Sequence, residues 1–171
     1  RDTETQGKYN LPPAIKMTNE ERNNVMVQIV DLLLASNLPN MDINIACGIA
    51  GNIKNESEFN YTTVGDYGTS YGLCQWHDPN RMTKLFEFCK KNGLASDSVE
   101  GQVQYLIQEL NTTYKSAYNS IIVDGVKDDP GKVAVEFCLK FESPKNEEKV
   151  CPTRASDGRN VLQTYKQLKS R

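Results

Sequence analysis

The sequence predicts a mainly α fold of about six helices, with one small β-hairpin or loop region after the second helix. Three observations carry this expectation. Apolar residues recur at steps of three and four along most of the chain, and capping residues stand at the heads of those stretches. Between residues 59 and 72 that pattern gives way to glycine-punctuated Tyr, Thr and Val. With 171 residues, 38% hydrophobic and 25% charged, the chain is long enough to bury a core without staples, and disordered, collagen-like and repeat classes are excluded.

Residues 1–17 are polar, carry the helix-breaking pair Pro12 and Pro13, and lack the apolar core of a signal peptide. They are expected to form an arm or linker of a longer polypeptide, with one folded domain spanning 18–171. Thr18 and Glu21 form a capping box, and Val25, Met26, Ile29, Val30 and Leu33 place the first helix over 19–35. Asn37, Pro39 and Asn40 make a turn, and Asp42 caps a second helix in which Ile45, Ile49 and Ile53 step by four, ending near Ser57. Residues 59–72 suit turns or a small hairpin.

Pro79 opens a third helix whose stripe of Met82, Leu85, Phe86 and Cys89 stops at Gly93. A fourth helix is expected from Ser98 through Tyr118 on Val99, Val103, Leu106, Ile107 and Leu110. A fifth runs from Pro130 through Phe141 on Val133, Ala134, Phe137, Cys138 and Phe141. A charged loop with Pro144 and Pro152 leads to a final amphipathic helix from Ala155, carrying Val161, Leu162, Tyr165 and Leu168.

Charge and composition narrow the function. A net charge of −2 and a pI near 5.5 offer no general attraction to phosphate backbones, which disfavours a nucleic-acid partner. The longest apolar runs are far shorter than the roughly 18 residues a membrane span needs. The single histidine, His77, excludes metal sites built from several imidazoles, and Cys74, His77, Asp78 and Cys89 match no closed tetrahedral spacing. No motif calls for a metal or a cofactor. The five cysteines, Cys47, Cys74, Cys89, Cys138 and Cys151, show no CxxC spacing. They read mainly as reduced, buried small side chains, with one or two internal disulfides left open.

The chemistry points to the end of the second helix. Glu56 follows Ile53 by three and Ile49 by seven, so its carboxyl lies on the apolar stripe, whereas Lys54 and Glu58 point elsewhere. Lost hydration and the negative end of the helix dipole both raise the pKa of such a group towards that of a general acid at neutral pH. The plainer alternative is a helix-end glutamate that snorkels to water. Downstream, Gly65-Asp66-Tyr67-Gly68-Thr69-Ser70-Tyr71-Gly72-Leu73-Cys74-Gln75-Trp76 is dense in rings, amides and hydroxyls. Sugars are recognised by that combination, through C–H faces on aromatic rings and polar groups for hydroxyl and N-acetyl substituents. Ser70, Tyr71, Gln75 and Trp76 are the candidate substrate contacts, although a lone tryptophan equally serves as a core anchor. Asp66 is the candidate second carboxylate of a glycosidase, while Asp-Tyr-Gly is also a turn signature.

Glu56-Ser57 at a helix end followed by Ser70-Tyr71-Gly72-Leu73-x-Gln75 resembles the lysozyme and lytic transglycosylase superfamily, whose members pair Glu-Ser with Gly-Leu-x-Gln. The wider string from Ile49 to His77 is similar to the phage tail lysozyme family. Phe141-Glu142-Ser143-Pro144 resembles the Phe-Glu-x-Pro that closes such domains. The likeness covers residues 20 to 168. It implies a lysozyme-like fold that hydrolyses or transglycosylates the glycan strand of bacterial peptidoglycan between N-acetylmuramic acid and N-acetylglucosamine, with Glu56 protonating the leaving oxygen. It further implies a place in the virion, in a phage tail that opens the wall as the genome enters, alongside other tail proteins or further domains.

Two rival readings come from other classes. A cysteine peptidase or amidase acting on peptidoglycan cross-links would use Cys47 or Cys74 with His77. Cys74 and His77 sit too close on one loop for that arrangement, and Cys47 lies mid-stripe as a structural residue does. A non-catalytic wall-binding or tail-structural module would keep the fold without the chemistry. Asn55-Glu56-Ser57, Asn60-Tyr61-Thr62 and Asn111-Thr112-Thr113 match glycosylation sequons but read as accidental, since a glycan on Asn55 would crowd the proposed site.

Overall fold

A computed structural model describes residues 9–77 and 79–171, so half of the expected arm and Asp78 of the rejected metal set lie outside the described residues. The fold is mainly α with a small antiparallel sheet. Helix α1 spans Asn19–Leu34 under the Thr18–Glu21 capping box, and α2 spans Ile43–Ser57, with the Asp42 side chain accepting from Ile45 N at 3.0 Å. The sheet has three two-residue strands, β1 Val64–Gly65, β2 Ser70–Tyr71 and β3 Trp76–His77, in that spatial order. Val64 pairs with Tyr71, and Tyr71 in turn with Trp76.

Helix α3 covers Asn80–Lys91, with Pro79 in the capping position just outside, and Gly93 takes the left-handed conformation expected past its end. The fourth expected helix divides into α4, Val99–Asn111, and α5, Lys115–Ile121. The break falls at Thr112, where two consecutive threonines disfavour the helix and Tyr114 N bonds back to Glu109 O at 2.7 Å. Helix α6 is Pro130–Phe137, and its expected last turn widens into a π-helical turn, Cys138–Glu142. Ser143 N closes that turn on Cys138 O at 2.8 Å with a left-handed φ of 45°. A single turn, α7 Glu147–Val150, precedes α8, which begins at Arg154 and ends at Lys169.

Helices α2, α6 and α8 form the tightest part of the core, because glycine lets their backbones meet. A Cβ on Gly48 would lie 2.4 Å from Val133 Cγ1, and one on Gly51 would lie 2.8 Å from Gly158 N. The apolar stripes read from the sequence all point inward: Ile29, Val30, Leu33, Ile45, Ile49, Ile53, Met82, Leu85, Val133 and Phe137 are fully buried. From residue 9 onward the arm lies on this body. The Tyr9 hydroxyl bonds Thr83, its ring meets Phe86 edge-on, and Ile15 N donates to Thr62 Oγ1 at 2.9 Å.

Cys138 and Cys151 form a disulfide across the π turn and α7, while Cys47, Cys74 and Cys89 remain buried thiols. Pairing therefore applies to one couple and the reduced reading to the other three. Among the described residues, no helix is long and apolar enough to cross a membrane.

Candidate active site

The site is assembled where α2 ends. Ser57 ties back to Ile53 O at 3.1 Å, and the chain then leaves the helix through two left-handed residues, Glu58 (φ 52°) and Phe59 (φ 64°). Two consecutive non-glycine residues there are costly, and the turn is held by Arg22, whose Nη1 donates to Glu58 O at 2.7 Å. The abrupt stop leaves the Glu56 side chain at the edge of the core, 24% exposed.

Around it stand charged groups from four other segments. Arg154, the first residue of α8, places Nη2 3.9 Å from Glu56 Oε1. Glu142, at the end of the π turn, brings its carboxyl within hydrogen-bonding reach of Glu56. As a residue Glu142 is half-buried, but its carboxyl turns inward, and Oε1 is sealed from solvent with no hydrogen-bond partner. Arg81 on α3 is locked to Glu109 on α4 through Nε (2.9 Å) and Nη2 (2.8 Å), and its guanidinium stacks over Tyr114 and Phe141. Asp66, in the loop, lies near enough for its charge to act on Glu56.

Burial is the main force raising the Glu56 pKa. Arg154 opposes it, as does a hydrogen bond from Glu142, while the Asp66 charge reinforces it. Glu142 is held well above the ordinary carboxylate range, first by burial and then by the neighbouring Glu56 charge. Two carboxyls crowded into one partly dry site titrate as a pair, and the loss of the last proton is the costly step.

The loop that faces Glu56 is tightly cross-braced. Asp66 (φ 52°) and Tyr67 (φ 55°) are both left-handed and exposed, with Tyr67 showing 63% of its surface. Ser70 Oγ donates to Asp66 Oδ2 at 2.9 Å and lies 3.0 Å from His77 Nδ1. Gln75 Nε2 donates to Thr63 O (3.1 Å) and Gly72 O (3.0 Å), and its Oε1 occupies the space that a side chain on Gly65 would need. Gln102 on α4, fully buried, accepts from Leu73 N and donates to Tyr61 O and Ser96 O, each at 2.8 Å.

Asp66 thus acts on Glu56 through its charge, from within the 60–77 loop. The expected substrate contacts divide. Gln75 is half-buried and clamps the loop, and Ser70 is buried beneath Asp66. Tyr71 (3% exposed) and Trp76 (0%) lie in the core, with Trp76 Nε1 donating to Glu109 Oε1 at 2.8 Å. Trp76 is a core anchor in this arrangement, and its ring meets Tyr105 edge-on. Glu142, Arg154, Arg81, Glu109 and Gln102 were not singled out as functional from the sequence. Gln102 and Glu109 share the helical face of Leu106, and a polar residue on an apolar stripe was available as a signal, as at Glu56.

Cys47 and Cys74 are sealed in the core, and burial pushes the Cys47 thiol up to about 12 and Cys74 well above its usual value. Those shifts oppose thiolate formation, the opposite of what a nucleophilic cysteine needs.

A helical body ending one helix at a half-buried glutamate, faced by a glycine-rich hairpin, defines a protein of the lysozyme-like class. The sequence pattern of the phage tail lysozyme family matches residues 24–165, and the chain belongs to that family. The family carries a lysozyme-like, peptidoglycan-degrading role at the bacterial cell wall. Comparison with curated proteins found no match.

Proposed function

We propose that this protein cleaves the peptidoglycan glycan strand between N-acetylmuramic acid and N-acetylglucosamine, with Glu56 as general acid, as part of a phage tail that breaches the wall while the genome enters. The observation that supports the reading is the placement of Glu56: a carboxyl at the end of an apolar helix face, mostly desolvated, beside Arg154. In the step, the Glu56 proton passes to the glycosidic oxygen as the bond from that oxygen to C1 breaks. The bonding electrons stay with the leaving oxygen, and Glu56 becomes a carboxylate beside Arg154. Asp66, exposed in the loop and anchored by Ser70, is the second carboxylate and faces the positive charge that develops at C1. Gln75, Ser70, Tyr71 and Trp76 shape the groove from beneath, through the braces described above.

The test is Glu56→Gln, which keeps shape and removes the proton. Digestion of purified cell walls should fall by at least about 10²-fold, with the melting temperature kept. An active variant would refute the assignment. Mass spectrometry of the wild-type product distinguishes a water-derived reducing end, the mark of a lysozyme, from a 1,6-anhydro end, the mark of a lytic transglycosylase.

A further inference from the structure

Among the described residues, three buried side-chain atoms have no hydrogen-bond partner: Asn52 Oδ1, Glu142 Oε1 and Arg154 Nε. Two belong to the groups that flank Glu56, and the third lies one turn before Glu56 on the same face of α2. Buried polar atoms left unsatisfied in a well-packed core are rare and mark places where something other than stability shapes the residues. Two of the three belong to the carboxyl and the guanidinium that flank Glu56, a charged set that a purely structural core would replace with apolar side chains.

We propose that Glu142 is a positioning residue for the catalytic acid: it holds Glu56 in a carboxyl pair that keeps one proton between them, with Arg154 balancing the remaining charge. This rests on the reading of Glu56 as the general acid. The groups facing the pair make the charge count specific. Arg81 on α3 also acts on both carboxyls, but its charge is matched by Glu109 on α4, which it binds through both Nε and Nη2, so the two cancel in the count. Tyr114 and Phe141 cover the Arg81 guanidinium, and the buried Cys74 thiol has its proton affinity raised by burial and by the neighbouring Glu142 and Glu109 charges. Asp66 adds a further negative charge from the loop side. One cation, Arg154, is left for two carboxyls, and one proton makes up the difference. The raised proton affinity of both carboxyls agrees with this count.

In the reaction, the pair's proton leaves through Glu56 to the glycosidic oxygen. The proton lost by the attacking hydroxyl, from water or from the sugar's own O6, then returns to the pair, so the protein ends as it began. Glu142 keeps the proton at the site but does not touch the sugar.

The experiment is Glu142→Gln, studied over pH with cell-wall digestion, beside Glu56→Gln. The amide fills the same space and can donate to Glu56, but it neither holds a proton nor repels the Glu56 charge. Glu56 should then lose its proton at lower pH than in the wild type. Activity at pH 5 should be largely kept, while the ratio of activity at pH 8 to that at pH 5 should fall about tenfold below the wild-type ratio, the factor that corresponds to one unit on a titration limb. A pH profile superimposable on the wild type, with Glu56→Gln inactive, overturns the role of Glu142 and leaves the acid in place. An active Glu56→Gln overturns both. If Glu142→Gln does not fold, a carbon-13 titration of the wild-type glutamate carboxyls decides. Two mutually dependent, biphasic curves support the pair, and two independent single-step curves refute it.

Discussion

The buried junction of Trp76, Arg81 and Glu109 sets how firmly the hairpin, α3 and α4 are joined, and replacing Glu109 with leucine tests it. Glu109 is 4% exposed and accepts three hydrogen bonds, from Trp76 Nε1, Arg81 Nε and Arg81 Nη2. Removing one member of a buried ion pair costs about 3–5 kcal/mol, because the other charge is left uncompensated. The Arg81 side chain retains 21% exposure and is partly rescued by water, which favours the lower end, about 3 kcal/mol. The stranded Trp76 N–H adds about 1 kcal/mol. A total near 4 kcal/mol corresponds to a melting temperature lower by about 8–16 °C in a chain of this size. Urea denaturation and calorimetry of Glu109→Leu measure it. Adding Arg81→Met removes the stranded charge and should recover at least half of the loss. A single-variant cost under about 1 kcal/mol, or a double variant no more stable than the single one, would refute the claim that the junction is held by this ion pair.

Three further outcomes follow from the same geometry. The disulfide closes a loop with a sequence separation of 13, so reducing it or replacing Cys138 and Cys151 with alanine should cost about 3 kcal/mol. Activity should fall as well, because Glu142 lies inside that loop and Arg154 just beyond it; a reduced protein with five titratable thiols and unchanged melting and activity would contradict this. Gly51→Ala drives a Cβ to 2.8 Å from Gly158 N and 2.9 Å from its Cα, backbone atoms that cannot rotate away, and should cost about 1–3 kcal/mol by calorimetry. Finally, Glu56 and Glu142 bind protons more tightly when folded than when unfolded, so their contribution is fully present below the ordinary carboxylate range. It is lost as pH rises through their raised folded values. Urea midpoints should therefore show a stability component that declines upward from about pH 4, and Glu142→Gln should flatten it; an identical slope in that variant would count against the pairing.

Much of the fold was legible because helices obey short-range rules. The Thr18 capping box, the Asp42 cap and the four-residue steps of Ile45, Ile49 and Ile53 each depend on neighbours within one turn, and the structure follows them. Where a local rule failed, the cause was also identifiable. The stripe from Ser98 to Tyr118 breaks at Thr112, and the end of α6 opens into a π turn, because backbone bonds to Glu109 O and Cys138 O replace the regular ladder. Trp76 shows the limit of composition. Its neighbours made a sugar-facing loop plausible, but whether a ring faces solvent or core is set by the helix packed behind it, here α4 with Tyr105 and Glu109.

By itself the sequence determined a mainly α body, a helix ending at Glu56 with that carboxyl on its apolar side, and a glycine-rich segment of turns or a small hairpin after it. All three rest on periodicity and turn chemistry, which act over a few residues. Only the tertiary structure decided which charges meet Glu56. Glu142 arrives from the π turn, Arg154 from the head of α8, and Arg81 is diverted to Glu109, all from segments distant in the chain. Proton affinity at the site depends on burial and on that balance of charge, and both are properties of packing between segments that no local pattern encodes.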